Sequence, residues 1–256
     1  MEFSLGVFAN EEVGNKTINY LFKNFKNDLK FVVCTNKHSV IYKTLIGLRF
    51  DKNKIYLNDD LKSEDTILTL KSYNVNIILL AWWPYIVKKN ILDIPKIGVL
   101  NFHPSLLPYN RGRNYNFWTI VENTPFGVTI HFVDEKVDTG DIVFQRVINK
   151  DWTDTGRTLY VKAKEAIFNL FIDKYKEIKE GKYKRVKQDD SIKSFRLAKE
   201  MDIASKIHLD NIYSARNLIN LLRAKSFPPH PGIWFEEDGV KYEMFINIKK
   251  LSNNIL

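Results

Sequence analysis

Ile97-Gly98-Val99-Leu100-Asn101-Phe102-His103-Pro104-Ser105-Leu106-Leu107-Pro108 opens as a short apolar run and closes on a carboxamide, an imidazole and a proline. The run reads as a buried strand, and Pro104, which has no backbone donor, stops it. Asn101 and His103 are two residues apart, so in a strand their side chains share one face. Both therefore belong at the carboxyl end of a buried strand, where open α/β sheets hold their ligands.

Upstream, Asn76-Ile77-Ile78-Leu79-Leu80-Ala81 is nearly continuous apolar sequence, the mark of a central parallel strand. Phe3 to Phe8 reads as a first strand and Lys30 to Thr35 as a second. Between them Ala9 to Lys16 is polar and reads as a turn, with helical spacing from Thr17 through Ile18, Leu21 and Phe22. Residues 36–65 carry weak helix signals and several Asn and Asp breakers. Ile67 to Leu70 begins a helix that ends near Asn74. Strands alternating with helices at this period predict an α/β fold with an open, mostly parallel sheet and right-handed crossovers.

Downstream the pattern changes. Phe126 to Val133 and Asp141 to Val147 alternate polar and apolar residues, are joined by the polar loop Asp134 to Gly140, and are expected to pair antiparallel. Leu159, Ala163, Ala166, Ile167, Leu170, Phe171 and Ile178 then mark one face of a long helix, with Gly181 as its stop. After about residue 190 the character shifts again. Asp210 to Lys225 reads as an amphipathic helix through Ile212, Ala215, Leu218, Ile219 and Leu222. A proline-rich break at 227–232 follows, then a hairpin of Ile233–Phe235 and Val240–Ile246 turned at Asp238-Gly239. The expected organisation is a catalytic domain over 1–190 and a helix-plus-hairpin extension over 191–256.

The 256 residues suit one sizeable domain, alone or with a small appendage. No run approaches the length of a membrane span, and Met1-Glu2-Phe3-Ser4-Leu5 lacks the basic start and apolar core of a signal peptide. The single cysteine, Cys34, follows Phe31-Val32-Val33 and reads as a buried strand thiol. These features fit a reducing cytoplasm. The formal charge of +9 is compatible with nucleic acid, with an anionic small substrate, or with a lysine-rich surface that has no special partner.

The Asn-Phe-His-Pro-Ser-Leu-Leu-Pro word is followed by Arg111-Gly112, by Gly127-Val128-Thr129-Ile130-His131-Phe132-Val133 and by Val137-Asp138-Thr139-Gly140-Asp141-Ile142. In order and spacing these resemble the active site of the formyltetrahydrofolate-dependent formyltransferases, strongly over about residues 76 to 148. The resemblance implies a Rossmann-like formyltransferase fold, N10-formyltetrahydrofolate as co-substrate, and Asn101, His103 and Asp138 as catalytic residues. Formyl transfer wants donors aimed at the formyl oxygen and a proton acceptor near the attacking amine. Asn101 offers an amide donor. His103 can donate when protonated or accept when neutral, and Asp138 can hold the imidazole or relay a proton. His131, inside an alternating strand, reads as structural or as an orienting hydrogen-bond donor. No His/Cys cluster has metal-ligand spacing, so no metal is expected.

By the same resemblance the folate lies against two loops. One carries Trp82, Trp83, Tyr85, Ile86 and Val87, with one tryptophan expected in the core and one lining a pocket. The other carries Asp134, Val137, Gly140 and Asp141. The first loop departs from many family members in its bulk. The acceptor is expected against Ser105, Arg111, Gly112, Arg113 and Tyr115, with Asn10 in the loop after the first strand. An arginine beside a glycine suits a phosphate or carboxylate.

Within the family, the methionyl-tRNA enzyme carries a C-terminal barrel for which the roughly 65 residues after 190 leave no room. The formyltetrahydrofolate hydrolase uses a similar site but carries an N-terminal regulatory domain, whereas this chain starts at its first sheet strand. A basic RNA-binding module with vestigial residues is opposed by the intact triad. The segment Arg223 to Gly232 and its hairpin resemble the extension of the sugar N-formyltransferases. That resemblance implies a nucleotide-linked amino sugar as partner, a dTDP-linked 4-amino-4,6-dideoxyglucose being the expected form, with the 3-amino isomer and UDP sugars open. It implies a role in O-antigen and lipopolysaccharide synthesis and a homodimer, for which an exposed Trp234 and Phe235 would suit an interface. Neither a membrane nor nucleic acid is expected as partner.

Overall fold

The computed structural model describes residues 2–251. In chain order its elements begin β1 (Leu5–Ala9), α1 (Glu11–Asn24), β2 (Leu29–Cys34), α2 (Val40–Gly47), β3 (Ile55–Leu57), α3 (Glu64–Ser72), β4 (Ile77–Ala81), α4 (Lys89–Leu92) and β5 (Gly98–His103). They continue β6 (Arg111–Gly112), α5 (Tyr115–Val121), β7 (Gly127–Phe132), β8 (Ile142–Val147), α6 (Gly156–Lys179), β9 (Phe195–Arg196), α7 (Ala198–Ala204), α8 (Ala215–Lys225), β10 (Ile233–Glu237) and β11 (Val240–Met244). The chain divides into two compact units. The first holds residues up to His103, Thr129–Arg146 and Lys164–Gln188. The second holds Pro104–Val128, Val147–Ala163 and the residues from Asp189 onward.

The first unit is built on a sheet of order β3-β2-β1-β4-β5-β7-β8. β3 through β5 are parallel, and β7 runs antiparallel to β5. Phe132 N donates to Asp141 O, and Gln145 Nε2 to Thr129 Oγ1, so β8 runs antiparallel to β7 as its alternating sequence predicts. All five residues of β4 are buried, in keeping with its unbroken apolar sequence. Phe8, Phe31, Val33, Leu70, Ile78, Leu80 and Val99 form one buried cluster. Each such side chain contributes about 1.5–3 kcal/mol when withdrawn from water.

One expectation is corrected in this unit, and one weakly signalled stretch takes definite form. Helix α1 begins at Glu11, so Ala9 to Lys16 is largely helix rather than turn. Glu11, Glu12 and Lys16 are exposed, and the two acids sit in the first turn, where the helix dipole favours them. Gly14 lets this turn lie close to the sheet, since a Cβ there would stand 3.0 Å from Ala81 O. Residues 36–65 are ordered, with Ser39 capping α2 and a short edge strand β3 that extends the parallel sheet.

In the second unit β6 pairs with β9 in parallel, Arg111 opposite Phe195 and Gly112 opposite Arg196. The buried Asn110 amide donates to the hydroxyls of Thr119 and Thr124 at 2.8 and 2.9 Å. β10 and β11 form the expected hairpin, with Asp238 and Gly239 both at positive φ in its turn. Trp234 and Phe235 are half-buried, with Phe235 stacked on Tyr242 and Trp234 flanked by Lys206 and Lys241. Helix α8 starts at Ala215 and not at Asp210, because the Ser214 hydroxyl accepts from Asn217 N. Ile212 is thereby left outside the helix and fully exposed. The buried residues of α8 are Asn220, Arg223 and Ala224 rather than its apolar stripe.

Candidate active site

β1 is paired with β2 on one side and β4 on the other, so the strand order reverses there. That reversal opens a crevice at the carboxyl ends of β1 and β4. Asn10 follows β1 there, its backbone N–H donating to Ala81 O at 3.1 Å, and its side chain makes no cap bond to α1. Trp82 follows β4 in a left-handed conformation, φ +62°, which is strained for so large a side chain. Of the two tryptophans, Trp83 joins the core, edge-on to Phe8 with ring centres 5.3 Å apart. Tyr85 and Ile86 are exposed, and Val87 packs against the same core.

One strand over, β5 carries Asn101 and His103 on the same face, as their spacing predicts. The antiparallel register sets Asn101 opposite His131. Asn101 Nδ2 lies 3.2 Å from His131 Nε2, and His131 Nδ1 lies 2.7 Å from Phe132 O. A carbonyl only accepts, so Nδ1 carries the proton and Nε2 presents a bare lone pair to the Asn101 amide. Burial pushes the His131 imidazole down to about 4, against the pull of Asp138, so His131 is neutral at ordinary pH.

Asp138 enters from the loop between β7 and β8. Its Oδ1 is 3.4 Å from His103 Nδ1 and 3.7 Å from His131 Nε2. His131 Nε2 has no proton to share, so His103 is the imidazole that Asp138 can polarise. The carboxylate favours a proton on His103 Nδ1. His103 is buried and the Asp138 side chain is largely so.

The loop is locked by its own chemistry. Both carboxylate oxygens of Asp134 accept from Thr139 Oγ1, and Oδ1 also accepts from Lys136 N. Gln188 Nε2 donates to the carbonyls of Asp138 and Gly140 at 2.9 and 2.8 Å. Gly140 passes so close to β7 that a Cβ would lie 1.9 Å from Phe132 O. Asp138 itself has φ +55°, a conformation that a short polar residue tolerates. Val137 is exposed and Asp141 half-buried at the start of β8.

The remaining expected positions lie in the second unit. Ser105 is buried and donates to Tyr109 O, which organises a turn. Arg111 is buried, with Nη2 2.9 Å from Asp190 Oδ1. Gly112 is at φ +88°, and a Cβ there would stand 2.4 Å from Arg196 O, so only glycine fits β6 against β9. Arg113 is exposed, and Tyr115 is buried with its ring parallel to Phe126.

The sequence marks His131 as structural or as an orienting donor, whereas the residue meets Asn101 as an acceptor, and the sequence gives no sign of Gln188. The cross-strand register brings His131 into the cluster, and a chain reversal of some fifty residues brings Gln188, neither of which has a local signature. Chemically, the cluster offers an amide donor held by a neutral imidazole, beside an imidazole–carboxylate pair. That suits stabilising a carbonyl oxyanion while moving one proton. The donor atoms of His103, His131 and Asp138 also lie within 4.8 Å of one another, a set able to hold a metal ion.

A methionyl-tRNA formyltransferase from Fusobacterium nucleatum is 29% identical over 204 residues, covering 78% of this chain and 64% of its own length. The chain thus spans less than two thirds of that relative. A 4-N formyltransferase structure from Francisella tularensis superposes with a TM-score of 0.79 at 24% identity, over 97% of this chain and 99% of that one. An N-formyltransferase from Helicobacter canadensis, solved with folinic acid and dTDP-3-aminofucose, gives 0.73 at 20% identity, over 93% and 86%. At these identities the structural likeness speaks for the fold. Residues 200–250 match the N-formyltransferase dimerization C-terminal domain. Residues 20–174, more than half the chain and including all of Asn101, His103 and Asp138, match the formyl transferase family, and to that family the chain belongs.

Proposed function

We propose that this protein is a sugar N-formyltransferase, moving the formyl group of N10-formyltetrahydrofolate directly to the amine of dTDP-4-amino-4,6-dideoxyglucose for surface polysaccharide synthesis. The observation that carries this reading is the convergence of Asn101, His103 and Asp138 at the carboxyl end of β5, in a chain of the formyl transferase family. The neutral amine attacks the formyl carbon, and the C=O oxygen gains charge. Asn101 donates its second amide N–H to that oxygen, the first being committed to His131. His103, two residues along the same strand, takes up the amine proton and passes it to the departing folate nitrogen, and Asp138 steadies the imidazolium meanwhile.

The folate is expected to pack on the Trp82 to Val87 and Asp134 to Asp141 loops, the second of which is held by Thr139 and Gln188. Residues before about 190 carry the chemistry in this reading. The segment after it supports pairing of two copies, in line with its match to a dimerization domain and with exposed Ile203, Leu209, Tyr242 and Phe245. The sugar reading is favoured by the extension and by folds solved with a folate and a dTDP-amino sugar.

Mass analysis of products tests it. The protein is given N10-formyltetrahydrofolate with a panel of dTDP- and UDP-linked amino sugars, methionyl-tRNA, and no acceptor. A formyl gain on the dTDP-4-amino sugar is the expected result. Formylation of methionyl-tRNA alone, or free formate without acceptor, would replace this reading with the tRNA enzyme or the hydrolase.

A further inference from the structure

The second unit holds a cavity of about 200 Å³ between helix α8 and the loop that follows β8. Arg216, Asn220 and Arg223 recur along α8 at i, i+4 and i+7, so they form one stripe of the helix. Amphipathicity would turn this polar stripe to solvent. The structure instead buries Asn220 and Arg223, each 5% exposed. Arg223 is fixed on two edges: Nε donates to Asn220 Oδ1, and Nη1 to the carbonyls of Asp151 and Asp154. Its Nη2 has no hydrogen-bond partner among the described residues, and Arg223 lines the cavity. A buried guanidinium with an uncommitted donor edge is a strong anion ligand.

The surroundings add charge rather than cancel it. Lys150 lines the same cavity, its ammonium held by the carbonyls of Thr119 and Thr124 and by Asn123 Oδ1. All three acceptors are neutral, so the charge of Lys150 is not offset by them. Arg216 enters into no ion pair among the described residues and lies over the Trp152 ring, as Arg223 does, at 5.0 and 4.8 Å. Asp151 is the one lining carboxylate, and it is engaged by the amide and hydroxyl of Thr153. Three cations thus face one committed acid, a balance suited to a dianion. The volume holds a phosphate or diphosphate group, whereas a whole small-molecule ligand needs about 300 Å³ or more.

We propose that this cavity is a phosphoryl-anion site, in which Arg223 Nη2 and Arg216 bind the oxygens of a phosphate borne by free phosphate or by a nucleoside diphosphate, beside the face of Trp152. Neutralisation by the ligand also explains why a lysine is tolerated there although burial and the Arg223 charge push it down to about 8. The site stands whether or not the formyl acceptor is a nucleotide sugar.

The test titrates the full chain with inorganic phosphate and, separately, with thymidine diphosphate, at constant ionic strength with acetate as control. Emission of wild type minus that of Trp152→Phe isolates the signal of this one tryptophan, and calorimetry gives an independent affinity. The expected result is a saturable Trp152 signal with phosphate, unmoved by acetate, and about tenfold weaker in Arg216→Gln. Arg216 is exposed and lacks the backbone clamp of Arg223, so this variant folds. A Trp152 signal at least tenfold tighter with thymidine diphosphate assigns the site to a nucleotide; equal affinity assigns it to free phosphate. The proposal is overturned if neither anion moves Trp152 and phosphate gives no heat through the millimolar range, if acetate binds as well, or if Arg216→Gln binds unchanged.

Discussion

His131 Nε2 and Asn101 Nδ2 face each other across the β5–β7 pair at 3.2 Å, with the imidazole as the acceptor. The Phe132 carbonyl fixes that tautomer. The amide of Asn101 is therefore held nitrogen-inward on one hydrogen, with the other free to meet a developing oxyanion. Replacing His131 by phenylalanine removes the acceptor and lets the amide turn over. Steady-state kinetics should show kcat reduced about tenfold to a hundredfold, with KM for the formyl donor nearly unchanged. An unaltered kcat would mean that the pair serves only the packing of the strands.

The proposed roles make Asn101→Ala, His103→Ala and Asp138→Ala each lower kcat by about a hundredfold to a thousandfold. Circular dichroism and unfolding midpoints should stay close to wild type for Asn101→Ala, a change at a half-buried position. The effects act as one unit, so Asn101→Ala/His103→Ala should lose far less than the product of the single losses.

Burial holds the His131 imidazole down at about 4, below its unfolded value near 6.5. Between those values the unfolded chain binds the extra proton, so stability rises with pH through this window and is lost as pH falls from about 6.5 to 4. The loss from this residue is on the order of 3 kcal/mol. Urea unfolding at neutral pH and near pH 4 checks it. His131→Gln, which cannot titrate, should show a smaller acid loss than wild type by that amount.

Gly140→Ala would place a methyl carbon 1.9 Å from Phe132 O, which belongs to the rigid sheet. The loop must move, so the variant should be destabilised by roughly 2–4 kcal/mol and should lose activity through displacement of Asp138. Thermal unfolding and turnover measured on the same preparation would show both losses together.

The proposed chemistry uses an amide, an imidazole and a carboxylate, so dialysis against a chelator should leave turnover unchanged. The same His103, His131 and Asp138 donors converge within 4.8 Å, and zinc prefers such nitrogen and oxygen ligands. Added zinc should therefore inhibit and be reversed by chelation, with inhibition weakened in His131→Phe. Activity abolished by the chelator would argue for a resident metal.

Much of this was legible in the chain. The apolar runs at 77–81 and 97–100 and the two-residue spacing of Asn101 and His103 identify strands and one shared face, because strand periodicity is local. Asp138 was legible through its place in the Val-Asp-Thr-Gly-Asp word. The start of α1 was not, since outward-facing polar residues in a first helical turn look like a turn until the sheet beneath them is known. Which neighbour each strand takes, and hence the meeting of His131 with Asn101, was decided by the tertiary fold, because cross-strand register joins residues thirty apart with no shared local signal. The same holds for α8. Its sequence by itself determined an amphipathic helix, but packing buried Asn220 and Arg223 on its polar stripe, because the carbonyls of the 151–154 loop offered that guanidinium the partners it needed out of water.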